Sequence, residues 1–189
     1  MVTIMLSFGK LFESLSFPWY FNEVMISVVS AVFNEEKIVP KLIERLEQAL
    51  KAIGGEYEII LVDDGSKDRT ADIVAEAHLR DKRVKLIQFS RNFGQVYAIR
   101  AGLHTAKGDV VVLMDGDLQD QPEEIPKLLS KLDEGFDIAY AQRTGRKDSL
   151  YRKASSKLFI AMMRFLVPAH ELPVGHELMF AGVFRAMRR

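Results

Sequence analysis

The sequence predicts an α/β protein built on a mostly parallel sheet with helices on both faces. Three observations predict it. Short apolar runs rich in Val and Ile alternate with longer stretches of helical periodicity between residues 26 and 141. The runs hold few polar residues, as strands buried on both faces do. Polar residues with catalytic chemistry collect just after the runs, where open parallel sheets carry their ligand sites.

In chain order, Ile26–Val32 reads as the first strand. Asn34 is expected to cap a helix running to about Ile53, with Ile38, Leu42, Ile43, Leu46 and Leu50 on one face and Gly54-Gly55 ending it. Tyr57–Val62 is the second strand, closing on Asp63-Asp64-Gly65-Ser66, and a helix follows to about Leu79. Val84–Phe89 is the third strand and Gln95–Ala106 a helix. Val110–Met114 is the fourth strand, Pro122–Leu132 a helix and Phe136–Ala141 a fifth strand. Strand–helix alternation at this spacing implies right-handed crossovers between parallel strands, a Rossmann-like layout. No internal repeat, low-complexity tract or linker interrupts it.

At 189 residues the chain is long enough for one domain with a sizeable core. Its 26 basic and 26 acidic residues cancel, so nothing draws the whole molecule to nucleic acid and any anion binding must be local. With no cysteine there is no disulfide, thiolate metal site or cysteine nucleophile, which fits a reducing compartment. No window approaches the ~18 consecutive apolar residues of a membrane span.

Residues 1–24 stand apart as an aromatic leader, with Phe8, Phe12, Phe17, Trp19, Tyr20 and Phe21 and few charges. It lacks the layout of a secretory signal. It reads either as a short amphipathic helix at a membrane surface or as a stretch ahead of a natural start at Met25; the balance tips to the second.

The most informative stretch is Asp109–Glu124, where a buried strand stops at Asp115-Gly116-Asp117. Paired carboxylates repel unless a cation or a set of donors neutralises them. Hard oxygens with room for water suit Mg²⁺ or Mn²⁺, held by one or two carboxylates plus substrate phosphates. The plainer reading is a turn in which Asp117 caps the helix begun by Pro122. Asn34-Glu35, Asp63-Asp64-Gly65, Arg91-Asn92 and Arg143 follow the other strands, so five loops are expected to pool around one crevice. Asp63 or Asp64 would accept from a base N–H or a ribose hydroxyl; a turn whose Asp and Ser cap the next helix, supported by Gly65, is a compatible reading. Arg143, Arg146 and Arg152 would bind a diphosphate or an anionic acceptor, or form a solvated basic loop.

Other chemistries fail on the residues. The turn after the first strand reads Ala31-Val32-Phe33-Asn34-Glu35-Glu36, without the glycines of a dinucleotide site. There is no P-loop and no Gly-x-Ser-x-Gly elbow. An aspartyl-nucleophile phosphatase would place its acidic pair after the first strand, not the fourth. His78, His104, His170 and His176 have no ligand spacing.

Four segments, Val29–Glu36, Leu61–Thr70, Ser90–Gln95 and Met114–Glu123, resemble the inverting family 2 glycosyltransferases of GT-A fold. The Ser-Arg-Asn-Phe-Gly segment narrows the resemblance to the polyprenyl-phosphate branch, the dolichol-phosphate mannosyltransferases and bactoprenol glucosyltransferases. The resemblance covers about residues 26–166, with Ala31 where the family usually has Pro. It implies a donor site in which Phe33, Glu35 and Asp63, with Asp64 beside it, hold the nucleoside. Asp115, Asp117 and Gln119 would place Mg²⁺ or Mn²⁺ on the diphosphate. Arg143, Arg152 and Ser156 would face the donor diphosphate or the acceptor phosphate, with Asp117, Arg143 and Arg152 closest to the chemistry.

The implied reaction moves a hexose from a UDP-glucose or GDP-mannose type donor to a polyprenyl phosphate at the cytoplasmic membrane face. An anionic phosphate nucleophile needs no general base; a hydroxyl acceptor would need an Asp or Glu, with Glu171 and Glu177 the remaining candidates. The domain expected is residues 25–167, with 168–189 an atypical tail read as truncated or frameshifted. Leu158–Val167 reads as core or as a bilayer-facing segment. Two other function classes stand beside the leading one: a family 2 transferase acting on a polysaccharide or protein hydroxyl, and an inactive nucleotide-sugar-binding remnant.

Overall fold

The structure is a computed structural model that describes residues 2–6, 24–134, 136, 138–142 and 185–188. The chain divides into two compact units. One, residues 1–2 and 142–182, lies almost entirely outside the described residues. The other, residues 3–141 and 183–189, holds the sheet and its helices.

The elements in order are β1 (Val2–Leu6), β2 (Ile26–Val32), α1 (Val39–Ile53), β3 (Tyr57–Asp63), α2 (Thr70–Arg80) and β4 (Val84–Gln88). They continue with α3 (Gln95–Thr105), β5 (Val110–Leu113), a 3-10 turn (Pro122–Glu124), α4 (Ile125–Asp133), β6 (Ile138–Gln142) and β7 (Arg185–Arg188). The sheet order is β1-β6-β7-β5-β2-β3-β4. β2 pairs in parallel with both β3 and β5, and β3 with β4. The register runs from Ile26↔Tyr57 to Val32↔Asp63, and Asp63 sits opposite Gln88. The carboxyl ends of the central strands therefore share one edge, as the α/β expectation requires.

Two strands were not legible in the sequence. β7 inserts antiparallel between β5 and β6, with Val110↔Arg188 and Ile138↔Met187. β1 takes the edge beside β6, in a stretch that reads as leader in the sequence. Arg-Ala-Met-Arg has neither alternation nor β-branched residues, so local propensity gives no strand signal there.

The first helix also starts later than expected. Asn34 is not its cap: the helix begins at Val39 behind Ile38, with no side-chain cap. Asn34 instead takes a positive φ of 54°. It donates its N–H to Ser66 Oγ at 2.8 Å and accepts from Lys67 N at 2.9 Å. A residue with an amide side chain served a cross-loop contact rather than a local cap, a competition that sequence spacing does not resolve.

Side-chain alternation along the strands divides the core. One face holds Val28, Ile59, Leu61 and Val112 under α1, α2 and α4, with Leu42, Leu46, Leu50, Val74, Leu128 and Leu129 buried. The other holds Val29, Ile60, Val62, Val111 and Leu113 under α3, which contributes Ala98.

Candidate functional site

The loops after β2, β3, β4 and β5 enclose a cavity of about 430 Å³ at the carboxyl edge of the sheet, a size in the range of small-molecule sites. Phe33, Glu35, Asp64, Asn92, Gly94, Gln95, Asp115, Gly116 and Asp117 line it together with the end of β2.

Each loop is fixed by its own chemistry. The loops at residues 34–36 and 66–70 are stitched together by side-chain-to-backbone bonds. Glu35 N donates to Thr70 Oγ1 at 2.8 Å, Glu36 N to Asp68 Oδ2 at 3.1 Å and Arg69 N to Glu36 Oε2 at 3.2 Å. Asp68 in turn accepts from Thr70 N at 3.0 Å and from its hydroxyl at 2.5 Å. This clip places Phe33, 42% exposed, and Glu35 at the cavity wall.

Asp64 organises the third wall. Its two oxygens accept from Phe93 N at 2.8 Å and Gly94 N at 2.9 Å, the turn that opens α3. Gly65 lets this happen: at φ +73° a Cβ there would lie 2.3 Å from the Arg91 carbonyl carbon. The Asp-Asp-Gly and Ser-Arg-Asn-Phe-Gly segments are thus two halves of one junction. A carboxylate at the N-terminus of α3 also meets the positive end of the helix dipole.

The fourth wall is the acidic turn. A Cβ at Gly116 would come within 2.8 Å of Val32 Cγ1 and 2.9 Å of the Ala31 oxygen, so only glycine lets the turn lie against the end of β2. Asp117 Oδ1 accepts from Gln119 N at 2.9 Å, and Leu118 takes a positive φ of 59°. Gln95 Nε2 donates to Asp115 Oδ1 at 3.0 Å, tying the first turn of α3 to the acidic turn. The helical stretch after this turn starts behind Gln121 with no side-chain cap, so Asp117 is not its cap.

Of the residues singled out in the sequence, Phe33, Glu35, Asp64, Asp115 and Asp117 converge on the cavity. Asp63 does not line it: fully buried, its carboxylate accepts from Ser66 N at 3.3 and 3.2 Å and from the Ser66 hydroxyl. Asp63 closes the turn, as its turn reading expects, and of the two aspartates Asp64 is the one that lines the cavity. Gln119 is exposed and also off the lining, bonding Asp117 through its backbone. Arg143, Arg146, Arg152, Ser156, Glu171 and Glu177 lie outside the described residues, as does Leu158–Val167. Gln95 was missed as a site residue; its only sequence signal is an amide side chain opening the helix just after the Ser-Arg-Asn-Phe-Gly motif.

The electrostatics suit a cation. Burial pushes the Glu35 carboxyl above its ordinary value, and the negative charges of Asp117 and Asp68 push it further. Glu35, Asp115 and Asp117 place three carboxyl groups on the lining of one cavity. Among the described residues, no group of three or more His, Cys, Asp or Glu side chains is arranged to hold a metal alone. Two carboxylates with further ligands from phosphate and water is the donor set of Mg²⁺ or Mn²⁺, and these residues fit that group.

A sequence model described as glycosyl transferase family 2 matches residues 27–189. The chain belongs to this family. The match runs past residue 167, where the sequence pattern placed the domain boundary. Among curated relatives, the undecaprenyl-phosphate 4-deoxy-4-formamido-L-arabinose transferase of Proteus mirabilis is 46% identical over 139 residues, covering 73% of this chain and 43% of the relative. The protein of that name from Pectobacterium atrosepticum is 47% identical over 140 residues, covering 74% and 43%. The chain thus spans less than half the length of these relatives.

Among solved structures, S. aureus TarS 1-349 in complex with UDP-GlcNAc aligns with a TM-score of 0.52 at 27% identity, over 66% of this chain and 37% of that one. M. tuberculosis glucosyl-3-phosphoglycerate synthase aligns with a TM-score of 0.60 at 21% identity, over 89% and 59%, a likeness of fold. The fold is GT-A.

Proposed function

We propose that this chain carries the donor-binding part of a glycosyltransferase. The enzyme moves a sugar from a nucleoside-diphosphate donor to a polyprenyl phosphate at the cytoplasmic membrane face, inverting the anomeric carbon. The observation that carries the reading is the convergence of Glu35, Asp115 and Asp117 on one cavity at the carboxyl edge of a parallel sheet. The relatives' transfer to undecaprenyl phosphate supports the acceptor class, and the bound UDP-GlcNAc of TarS supports the donor class.

In this reading the exposed ring of Phe33 gives the nucleoside an apolar wall. Asp64 holds the 93–94 turn that completes the cavity, and Gln95 orients Asp115. Asp115 and Asp117, with Gln119 bonded behind Asp117, would hold Mg²⁺ or Mn²⁺, which offsets the charge on the departing diphosphate. Arg143, Arg152 and Ser156 are assigned to the phosphates by the family resemblance. The acceptor phosphate oxygen forms its bond to the anomeric carbon from the face opposite the leaving group. The bond from that carbon to the diphosphate oxygen breaks, and its electron pair leaves with the nucleoside diphosphate. No proton has to move, so the site needs no general base. The relatives' names shift the expected sugar from a hexose toward a formamido-pentose.

Calorimetric titration with UDP and GDP, with and without Mn²⁺, tests the donor site. Metal-dependent binding is expected, weakened at least about tenfold in Asp117→Ala. Transfer of label into organic solvent from UDP-glucose, GDP-mannose and a nucleotide-linked formamido-pentose then tests the acceptor class. A folded chain that binds neither nucleotide with any metal sinks the reading.

A further inference from the structure

Beside the donor cavity, on the outer side of α3, lies an apolar groove of about 390 Å³ lined by Phe89, Phe93, Tyr97, Arg100, Ala101 and His104. It adjoins the cavity through the 92–97 stretch: Asn92, Gly94 and Gln95 line one, Phe93 and Tyr97 the other. Large side chains stand out into solvent here, with Val96 77% exposed, Tyr97 60% and Phe93 45%. A contiguous exposed apolar patch on a folded domain marks an interaction surface.

The charge around the groove is one-sided. From Lys82 to Gly108 the chain carries no aspartate or glutamate. Arg91 lies with its guanidinium 4.7 Å from the centre of the Phe93 ring, and Arg91, Arg100, His104 and Lys107 are all exposed. Among the described residues none of these four forms an ion pair with a carboxylate. Aromatic and aliphatic side chains rimmed by unpaired basic ones match the interface of a bilayer with anionic headgroups, where rings sit at headgroup depth and basic residues meet lipid phosphates.

We propose that the outer face of α3, with Phe93 at its entrance, docks on an anionic lipid bilayer. Docked this way, the donor cavity opens beside the membrane plane, one turn of chain from the lipid. The inference deepens the transferase reading and rests on it for its biological sense, since an acceptor with a polyprenyl tail resides in the bilayer. The docking surface itself rests on shape and charge alone.

The test is co-sedimentation of the 189-residue chain with vesicles of phosphatidylethanolamine and phosphatidylglycerol, against vesicles of phosphatidylcholine. Partition is expected on the anionic vesicles, weaker on phosphatidylcholine and falling with salt. Arg100→Ala should weaken it about fivefold, and Tyr97→Ser/Arg100→Ala by more. Both side chains point outward, so circular dichroism and nucleotide titration should match the wild type. Wild-type partition that is absent, or equal on both vesicle types, overturns the proposal. So does partition unchanged in the double variant. A change in mass by light scattering in that variant, with vesicle binding intact, would assign the face to a second copy of the chain instead. Vesicle binding with no nucleotide binding would leave the docking surface standing while the transferase reading falls.

Discussion

On one face of the sheet α1, α2 and α4 bury Leu42, Leu46, Leu50, Val74, Leu128 and Leu129 against Val28, Ile59, Leu61 and Val112. On the other α3 stands over a smaller cluster, and part of that face is polar. There Ser27 and Glu58 are fully buried, and Ser27 Oγ donates to Glu58 Oε1 at 2.6 Å. Lys107 N donates to the same oxygen at 2.6 Å, Gly108 N to Ser27 Oγ at 2.7 Å, and Lys85 pairs with the other carboxylate oxygen. The first face is built for burial and has no part in the cavity beyond its loops. The second spends its helix on the site: its N-terminal turn receives Asp64, its first side chain holds Asp115, and its outer side stays exposed. The difference teaches that stability and function are placed on opposite faces of one sheet.

If that division is right, core truncations should separate the faces. Leu46 on α1 is fully buried, and Leu46→Ala is expected to cost about 3 kcal/mol through lost burial and the cavity left behind. Leu103 on α3 is only partly buried against the smaller cluster, and Leu103→Ala should cost about 1 kcal/mol. Urea unfolding of the two variants measures both. Equal losses would mean that the α3 face bears as much of the stability as the other.

The buried polar network gives the α3 face a different signature. Burial pushes the Glu58 carboxyl up, but bonds from Lys85, Ser27 and the Lys107 amide outweigh it and hold it below its ordinary 4.5. A carboxyl depressed in the folded state adds stability above its unfolded value, and that stability is lost as pH falls through the folded value. Glu58→Ala is expected to cost about 2 kcal/mol at neutral pH. That lies below the range for a fully buried pair, because Lys85 keeps 30% of its side chain in solvent. The cost should shrink as pH falls below 4.5. A pH-independent cost, read from unfolding midpoints between neutral and acid pH, would show that Glu58 acts by packing rather than by charge.

Legibility in the sequence divides along the same line. The strands and the apolar face of α1 were readable because burial imposes a periodicity, and β2 falls on Ile26–Val32 as expected. The position of the acidic turn on the cavity was readable because Asp115-Gly116-Asp117 directly follows a buried strand, at the carboxyl edge of the sheet. Contacts between loops were not. Asn34 bonds the 66–67 turn instead of its own helix, and Asp63 spends its carboxylate on Ser66 while Asp64 reaches across to Phe93 and Gly94. Such choices between adjacent, chemically alike residues depend on which loops the sheet brings together. β7 was hidden for the opposite reason: its partners β5 and β6 supply the ladder, and its own four residues carry no pattern.

The smallest expected effect tests whether α3 serves the site. Gln95 is exposed, and its one described contact is the 3.0 Å bond to Asp115 Oδ1, so Gln95→Ala should leave the unfolding midpoint within about 0.5 kcal/mol of wild type. In the proposed metal site a side chain that orients Asp115 nevertheless matters to the ion, since outer partners of this kind change metal affinity about tenfold or more. Mn²⁺-dependent nucleotide binding should therefore weaken about tenfold, at the lower end because Asp115 is itself only partly buried, while nucleotide binding without metal stays unchanged. That split is what a structural role cannot produce: a loosened helix would lower both affinities and the midpoint together. Were all three unchanged, the bond between α3 and the acidic turn would be a surface contact, and the helix would owe its place on the sheet to the Asp64 junction and to its packing on the smaller apolar cluster.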